Sequence, residues 1–171
     1  MYFDLFGQMK KQLGQLRSWL ELAAKHAEAK KFDPNLYLGF RLAPDQFPLA
    51  RQVQIACDTA KNAMKFLTGK DVPAHPDTEQ TLAELAARVT SVLGILDGLT
   101  ANDFEGASTR SVSQPRWEGK WMPGAEYFLQ HALPNFYFHV THTYALLRHN
   151  GVDLGKKDYL GAIDRRDPPA P

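Results

Sequence analysis

Cysteine is almost missing from this sequence, because Cys57 is the one thiol among 171 residues. A single cysteine excludes an intramolecular disulfide framework and a cysteine-rich zinc site, and such sparse use is typical of a reducing compartment. An excess of charge of one sign is missing too, since 20 basic side chains stand against 19 acidic ones and leave a net charge of +1. Surfaces that bind nucleic acid or anionic membranes concentrate positive charge, so we expect neither partner.

Long hydrophobic runs are absent as well. The apolar stretches fall well short of the roughly 18 residues that a membrane helix requires, and Met1–Gln8 contains an early acid and no unbroken apolar run. We therefore expect no membrane span, no signal peptide and a cytoplasmic location. The length fits one soluble domain, which we place at residues 1–165, followed by a flexible proline-rich tail at 166–171.

The sequence also lacks the signature motifs of common enzymes and binding modules. The sequence contains no internal repeat, nucleophile elbow, glycine-rich phosphate loop, His-Glu-x-x-His motif or EF-hand loop. Consequently, no sequence motif indicates which reaction, if any, this chain catalyses.

Apolar periodicity, by contrast, is abundant. Apolar residues recur at spacings of three and four in four long segments, which predicts four amphipathic helices. The expected ranges are 3–30, 45–69, 77–98 and 134–150, with Asp45 as the N-cap of the second helix and Asp77 or Thr78 as that of the third.

Helical periodicity is lost between Asn102 and Pro123. There, residues 109–113 and 116–121 are predicted to pair as a short hairpin, and a short helix is expected near 124–131. The predicted fold class is therefore all-α, an up-and-down four-helix bundle with a short irregular or hairpin insertion before the last helix.

The fourth helix carries the most informative polar residues. At about 100° per residue, Asn135, His139 and His142 fall within a wedge of about 80° that is flanked on both sides by apolar residues. The wedge should point into the bundle, where an unsatisfied polar group costs on the order of 1–3 kcal/mol. Either these imidazoles bond to core partners, or His139 and His142 share a metal ion. His149 is expected to stabilise the helix end, and His26, His75 and His131 are assigned no role.

The second helix offers another polar set, formed by Arg51, Gln54, Asp58 and Asn62. One interpretation is a solvated face with an Arg–Asp pair. The other is an interior cleft or a dimer interface, because Ile55 and Phe66 form a further apolar patch beyond the set. Aromatic residues near the irregular segment likewise either roof a pocket or anchor the core: Trp117, Trp121, Tyr127 and Phe128.

The run from Pro134 to Val152 resembles the last helix of the DinB/YfiT-like metalloenzyme superfamily. The segments Pro48–Cys57 and Gly155–Gly161 resemble one of its branches of uncharacterised small proteins. This resemblance spans most of the chain and implies a four-helix bundle that is often dimeric. It also implies a metal site with one histidine on the second helix and a His-x-x-x-His pair on the fourth.

The chain departs from that metal-site pattern. The pair falls on Asn135 and His139, and the second-helix histidine falls near Gln54, in a helix that contains no histidine. An amide is a poor ligand for zinc or nickel. The resemblance therefore implies a metal site that is lost or much weakened, with at most weak zinc or nickel binding at His139 and His142. The superfamily's metal-dependent thiol-transferase chemistry is accordingly in doubt here.

Three hypotheses follow for the function. The first is a diverged superfamily member that binds an unknown small molecule in a polar pocket formed by Asn135, His139, His142, Gln54, Arg51 and Asp58. The second is an enzyme that uses His139 and His142 to hold a metal or to transfer protons on a thiol or another small substrate. The third is a dimeric interaction protein whose histidines only satisfy the core. A homodimer is the expected assembly.

Overall fold

A computed structural model describes residues 1–167, which are mostly helical with one small two-stranded sheet. The predicted all-α fold class is confirmed. The α-helices are α1 (Tyr2–Lys30), α2 (Leu49–Thr68), α3 (Leu82–Asp97), α4 (Gly124–Tyr127), α5 (Leu133–His149) and α6 (Lys156–Leu160), and 3-10 turns lie at Pro34–Gly39, Ala101–Phe104 and Pro115–Trp117. Residues 168–171, the last four of the predicted tail, lie outside the described residues.

Four long helices pack in a ring, in which α1 and α2 each contact α3 and α5. The apolar stripe of α1 is fully buried at Phe6, Met9, Leu13 and Leu16. The facing stripe of α2 contains small residues such as Ala56 and Ala60, which allow its neighbours to approach closely. In residues 1–167, no helix combines the length and the apolar character that a membrane crossing needs.

The predicted starts of the second and third helices were wrong. Helix α2 begins at Leu49, with Pro48 as its N-cap, because a proline disfavours helical geometry at the residue before it. Helix α3 begins at Leu82, where Thr81 and Glu84 form a capping box with hydrogen bonds of 3.1 Å in both directions. This reciprocal pair satisfies two free backbone N–H donors, so the helix begins here and not at the predicted cap, Asp77 or Thr78.

The predicted hairpin exists, but its second strand lies elsewhere. Strand β1 (Ser111–Val112) pairs antiparallel with β2 (Met122–Pro123), in the register Ser111 to Pro123 and Val112 to Met122. The segment 116–121 cannot form the second strand, because a 3-10 turn begins at Pro115 and both Glu118 and Gly119 have positive φ. The segment between the strands is therefore a compact loop.

Helices α4 and α5 are joined by a π-helical segment, Phe128–Ala132 (the π segment), so the chain stays helical from residue 124 to residue 149. Pro134 explains this wider turn, because it has no N–H and its ring displaces the carbonyl four residues earlier. The start of α4 packs directly on the preceding loop. There, a Cβ added to Gly124 would overlap the carbonyl oxygen of Ala107. Together these contacts fix the segment that leads into α5.

Candidate functional site

Two adjoining cavities lie where the N-terminal part of α2 meets α5. The first cavity has a volume of about 620 Å³, and the second cavity has a volume of about 370 Å³. Four residues line both cavities and are called the shared wall: Phe47, His131, Asn135 and His139. The first cavity is also lined by Asp45, Gln46, Gln52, Gln130, Pro134 and Phe138. The second is also lined by Arg51, Ile55, Asp58, Thr59, Asn62, Gln114, Arg116 and Tyr127.

His139 projects from α5 toward α2, and its hydrogen bond determines its tautomer. The Gln52 Nε2 atom donates to the carbonyl oxygen of Phe47 at 3.0 Å, so Gln52 Oε1 faces His139 and lies 2.7 Å from Nδ1. Because that oxygen only accepts, Nδ1 carries the proton and Nε2 carries the lone pair. Within residues 1–167, Nε2 makes no hydrogen bond. The shared wall therefore contains an acceptor without a protein partner.

The electrostatic surroundings of His139 keep its ring neutral. The side chain is 5% exposed. Its pKa is lowered from 6.5 to about 4, mainly by burial and also by the nearby His142 and Arg51. At neutral pH the imidazole is therefore an acceptor and not a cation.

Asn135 supplies a second acceptor to the shared wall. Its Nδ2 atom donates to Thr59 Oγ1 at 2.8 Å, and the Thr59 hydroxyl donates to the carbonyl oxygen of Ile55 at 2.7 Å. This chain of donors fixes the orientation of the Asn135 amide. Its Oδ1 atom has no hydrogen-bond partner in the part of the chain that the structure describes.

His142 lies beside the cavities and lines neither of them. Its Nδ1 donates to the carbonyl oxygen of Phe138 at 2.7 Å, and its Nε2 lies 3.3 Å from Gln46 Nε2, from which it accepts. The ring also packs on Phe138, with 4.0 Å between ring centroids. Both nitrogens of His142 are therefore engaged, so His142 adds no free acceptor beside His139.

The ligand positions that the resemblance implies do not fit zinc or nickel. Of the three, only His139 offers an imidazole nitrogen, whereas Asn135 offers an amide oxygen and the amide oxygen of Gln54 accepts from Arg51 at 3.3 Å. One imidazole and two amides form a poor donor set for these metals. Across residues 1–167, no three or more histidine, cysteine, aspartate or glutamate side chains are grouped so as to hold a metal ion.

The polar set on α2 faces a buried arginine on α3. The Arg88 side chain is 1% exposed, and it pairs with Asp58 at 2.9 Å, Asp77 at 3.1 Å and Glu79 at 2.9 Å. Gln54 Nε2 donates to Glu79 at 2.9 Å, so Gln54 faces these acids and lines neither described cavity.

Arg51 donates to Asp77 from the edge of this cluster. Arg51 and Asp58 thus belong to this ion cluster and also line the second cavity. Burial raises the pKa of the Glu79 carboxyl, but the Arg88 hydrogen bond and further donors hold it below its usual value.

Sequence reasoning missed several residues of the cavities. Gln52 lies three residues after Leu49 and four before Ala56, so its place on the apolar stripe was visible. His131 lies four residues before Asn135, in the same angular wedge, but Pro134 was interpreted as a helix start. Arg116 came from the segment predicted as a strand, and nothing in its spacing relates it to the helices.

Residues 1–160 match a family described as Domain of unknown function (DUF1993). The chain is also similar to the crystal structure of a DinB family member protein from Shewanella denitrificans, with 51% sequence identity and a TM-score of 0.94. That similarity covers 98% of this chain and 96% of the other. Among curated proteins, none matches this chain.

Proposed function

This chain belongs to the DUF1993 family of DinB-like proteins, and from that premise we propose that it binds a small molecule in the first cavity. We propose further that the three-histidine metal site of the superfamily is lost. The observation that carries the proposal is the neutral His139, whose Nε2 lone pair has no partner in residues 1–167 although the side chain lines both cavities.

The composition of the first cavity supports an organic ligand. Phe47 and Phe138 line it and remain 54% and 51% exposed. Apolar surface beside a few fixed polar groups is the usual composition of a small-molecule site. The two acceptors, His139 Nε2 and Asn135 Oδ1, would each receive a hydrogen bond from an N–H or O–H group of the ligand.

A histidine-based acid–base enzyme is less well supported by the same residues. A general base works best when its pKa lies near the working pH, whereas the pKa of His139 is lowered to about 4. The neutral ring is better suited to hold a ligand than to exchange protons with it at pH 7.

Ligand-observed NMR with a library of neutral aromatic amides and alcohols tests the proposal on untagged protein. We expect some members to bind to the wild type, and protein-observed spectra should then show shifted His139 imidazole resonances. His139→Gln should lose this binding. His142→Gln is the control on the same helix, because the His142 side chain itself lines neither cavity.

Zinc and nickel titrations of the same three proteins test the metal-site part. We expect no stoichiometric binding in the wild type. Tight binding that disappears in both His139→Gln and His142→Gln would establish the metal-dependent alternative instead.

If His139→Gln binds the library members as well as the wild type does, and only its melting temperature falls, then His139 satisfies the core and the proposed role is wrong.

A further inference from the structure

The second cavity contains a set of hydrogen-bond donors that the proposed function does not use. Arg116 lines it and makes no ion pair with an acidic residue in the described range 1–167. Its guanidinium donates to His131 Nε2, a neutral acceptor where a carboxylate would form a stronger, charge-assisted bond. The pKa of His131 is lowered by burial and by Arg116, so this imidazole stays neutral.

Tyr127 is a second donor in the same cavity. It is only 1% exposed, yet its hydroxyl makes no hydrogen bond to any described residue. Buried tyrosine hydroxyls usually have a partner. Burial raises the pKa of Tyr127 although Arg116 lowers it, so the hydroxyl keeps its proton and can donate.

Two amides complete the set of donors. Asn62 and Gln114 line the second cavity, and their side chains form no hydrogen bonds within residues 1–167. The acidic group of this cavity, Asp58, is already neutralised by Arg88 at 2.9 Å and by Lys61 at 3.1 Å. Four donors without acidic partners therefore converge on one cavity.

We infer that the second cavity binds an anionic oxygen group, a carboxylate or a phosphate, of a ligand whose apolar part lies in the first cavity. This inference rests on the proposed function, because the two cavities meet at the shared wall. Arg116 supplies the charge, Tyr127 supplies a neutral hydrogen bond, and the exposed rings of Phe47 and Phe138 contact the apolar part. The ligand class is thus an amphipathic organic anion.

Dissociation constants measured by NMR titration test the inference with three probes: 3-phenylpropanoate, phenyl phosphate and the uncharged 3-phenylpropanamide. We expect the better anion to bind the wild type at least about fivefold more tightly than the amide. The tighter of the two anions identifies the group as carboxylate or phosphate. Arg116→Gln should reduce the ratio to about one, whereas Arg110→Gln, which changes an exposed arginine outside both cavities, should leave it unchanged.

Tyr127→Phe tests the second donor without changing the packed ring. We expect a weakening of about threefold or more for the anion and little change for the amide. Tyr144→Phe is the matched control, since that ring packs on Trp19 and Tyr159 and lines neither cavity.

The outcomes separate the inference from the proposed function. Equal binding of acid and amide to the wild type, or an anion preference that persists in Arg116→Gln, would overturn the inference while leaving the first-cavity site intact. Binding of 3-phenylpropanamide that is unchanged in His139→Gln, with the anion preference retained, would support the inference and remove His139 from the proposed function. Failure of all three probes to bind would contradict both.

Discussion

Acidification is expected to destabilise the protein through His139. The pKa of this side chain falls from 6.5 to about 4 on folding, because burial disfavours the imidazolium and His142 and Arg51 oppose its charge. Each pKa unit corresponds to about 1.4 kcal/mol, so a proton on His139 costs the folded state about 3 kcal/mol relative to the unfolded chain.

The direction of the effect depends on which state binds the proton. Between pH 6.5 and about pH 4, the unfolded chain is protonated at this position and the folded protein is not. The free energy of unfolding therefore falls as the pH falls through this window. Above it, both states are neutral at His139 and the residue contributes no pH dependence.

Urea unfolding at about pH 7 and about pH 5 measures this contribution. The wild type should lose about 2 kcal/mol more than His139→Gln on acidification, since the variant lacks the titrating group and shares all the others. His142→Gln should keep most of this loss, because burial, the largest cause of the lowered His139 pKa, is unchanged in it. An equal pH dependence for the wild type and His139→Gln, or an NMR titration of His139 with a midpoint near 6.5, would refute the reasoning.

Three further perturbations probe the packing around the site. Arg88→Met should lower the free energy of unfolding in urea by about 2 kcal/mol, because it removes a buried cation that pairs with Asp58 and Glu79. The exposed Arg148→Met should change it by less than about 0.5 kcal/mol. Cys57 is buried and its pKa is raised to about 12, so Ellman's reagent should react with it only in denaturant; rapid reaction of the native protein would show that the core opens there. Gly124→Ala should lower the melting temperature through its backbone overlap, whereas Gly14→Ala, whose added Cβ contacts nothing within 4 Å, should raise it or leave it unchanged.

The helices were predictable because burial selects apolar residues at helical spacing. Phe6, Met9, Leu13 and Leu16 on α1 reveal their common face directly in the sequence. The same angular reasoning grouped Asn135 and His139 on α5, and the structure places both in the shared wall.

The remaining details depended on which of several available partners each polar side chain takes. Asp77 had the chemistry of an N-cap, but Arg88 and Arg51 hold it in an ion cluster, while the Thr81–Glu84 capping box starts the helix. His142 shares the angular wedge of His139, yet the local carbonyl of Phe138 engages it. No periodicity encodes such choices between competing hydrogen-bond partners.

The π segment at Phe128–Ala132 acts as an angular spacer in the last long helical run. Phe128, Ala132, Phe136 and Val140 are spaced four apart, and all are 0% exposed. In an uninterrupted α-helix a strict spacing of four drifts by about 40° at each step, so Phe128 and Val140 would face directions about 120° apart. The wider turn takes up much of this drift and keeps both on the core side. A family member one residue shorter in this segment would therefore rotate Tyr127 away from the second cavity while keeping Asn135 and His139, which follow the π segment, in place.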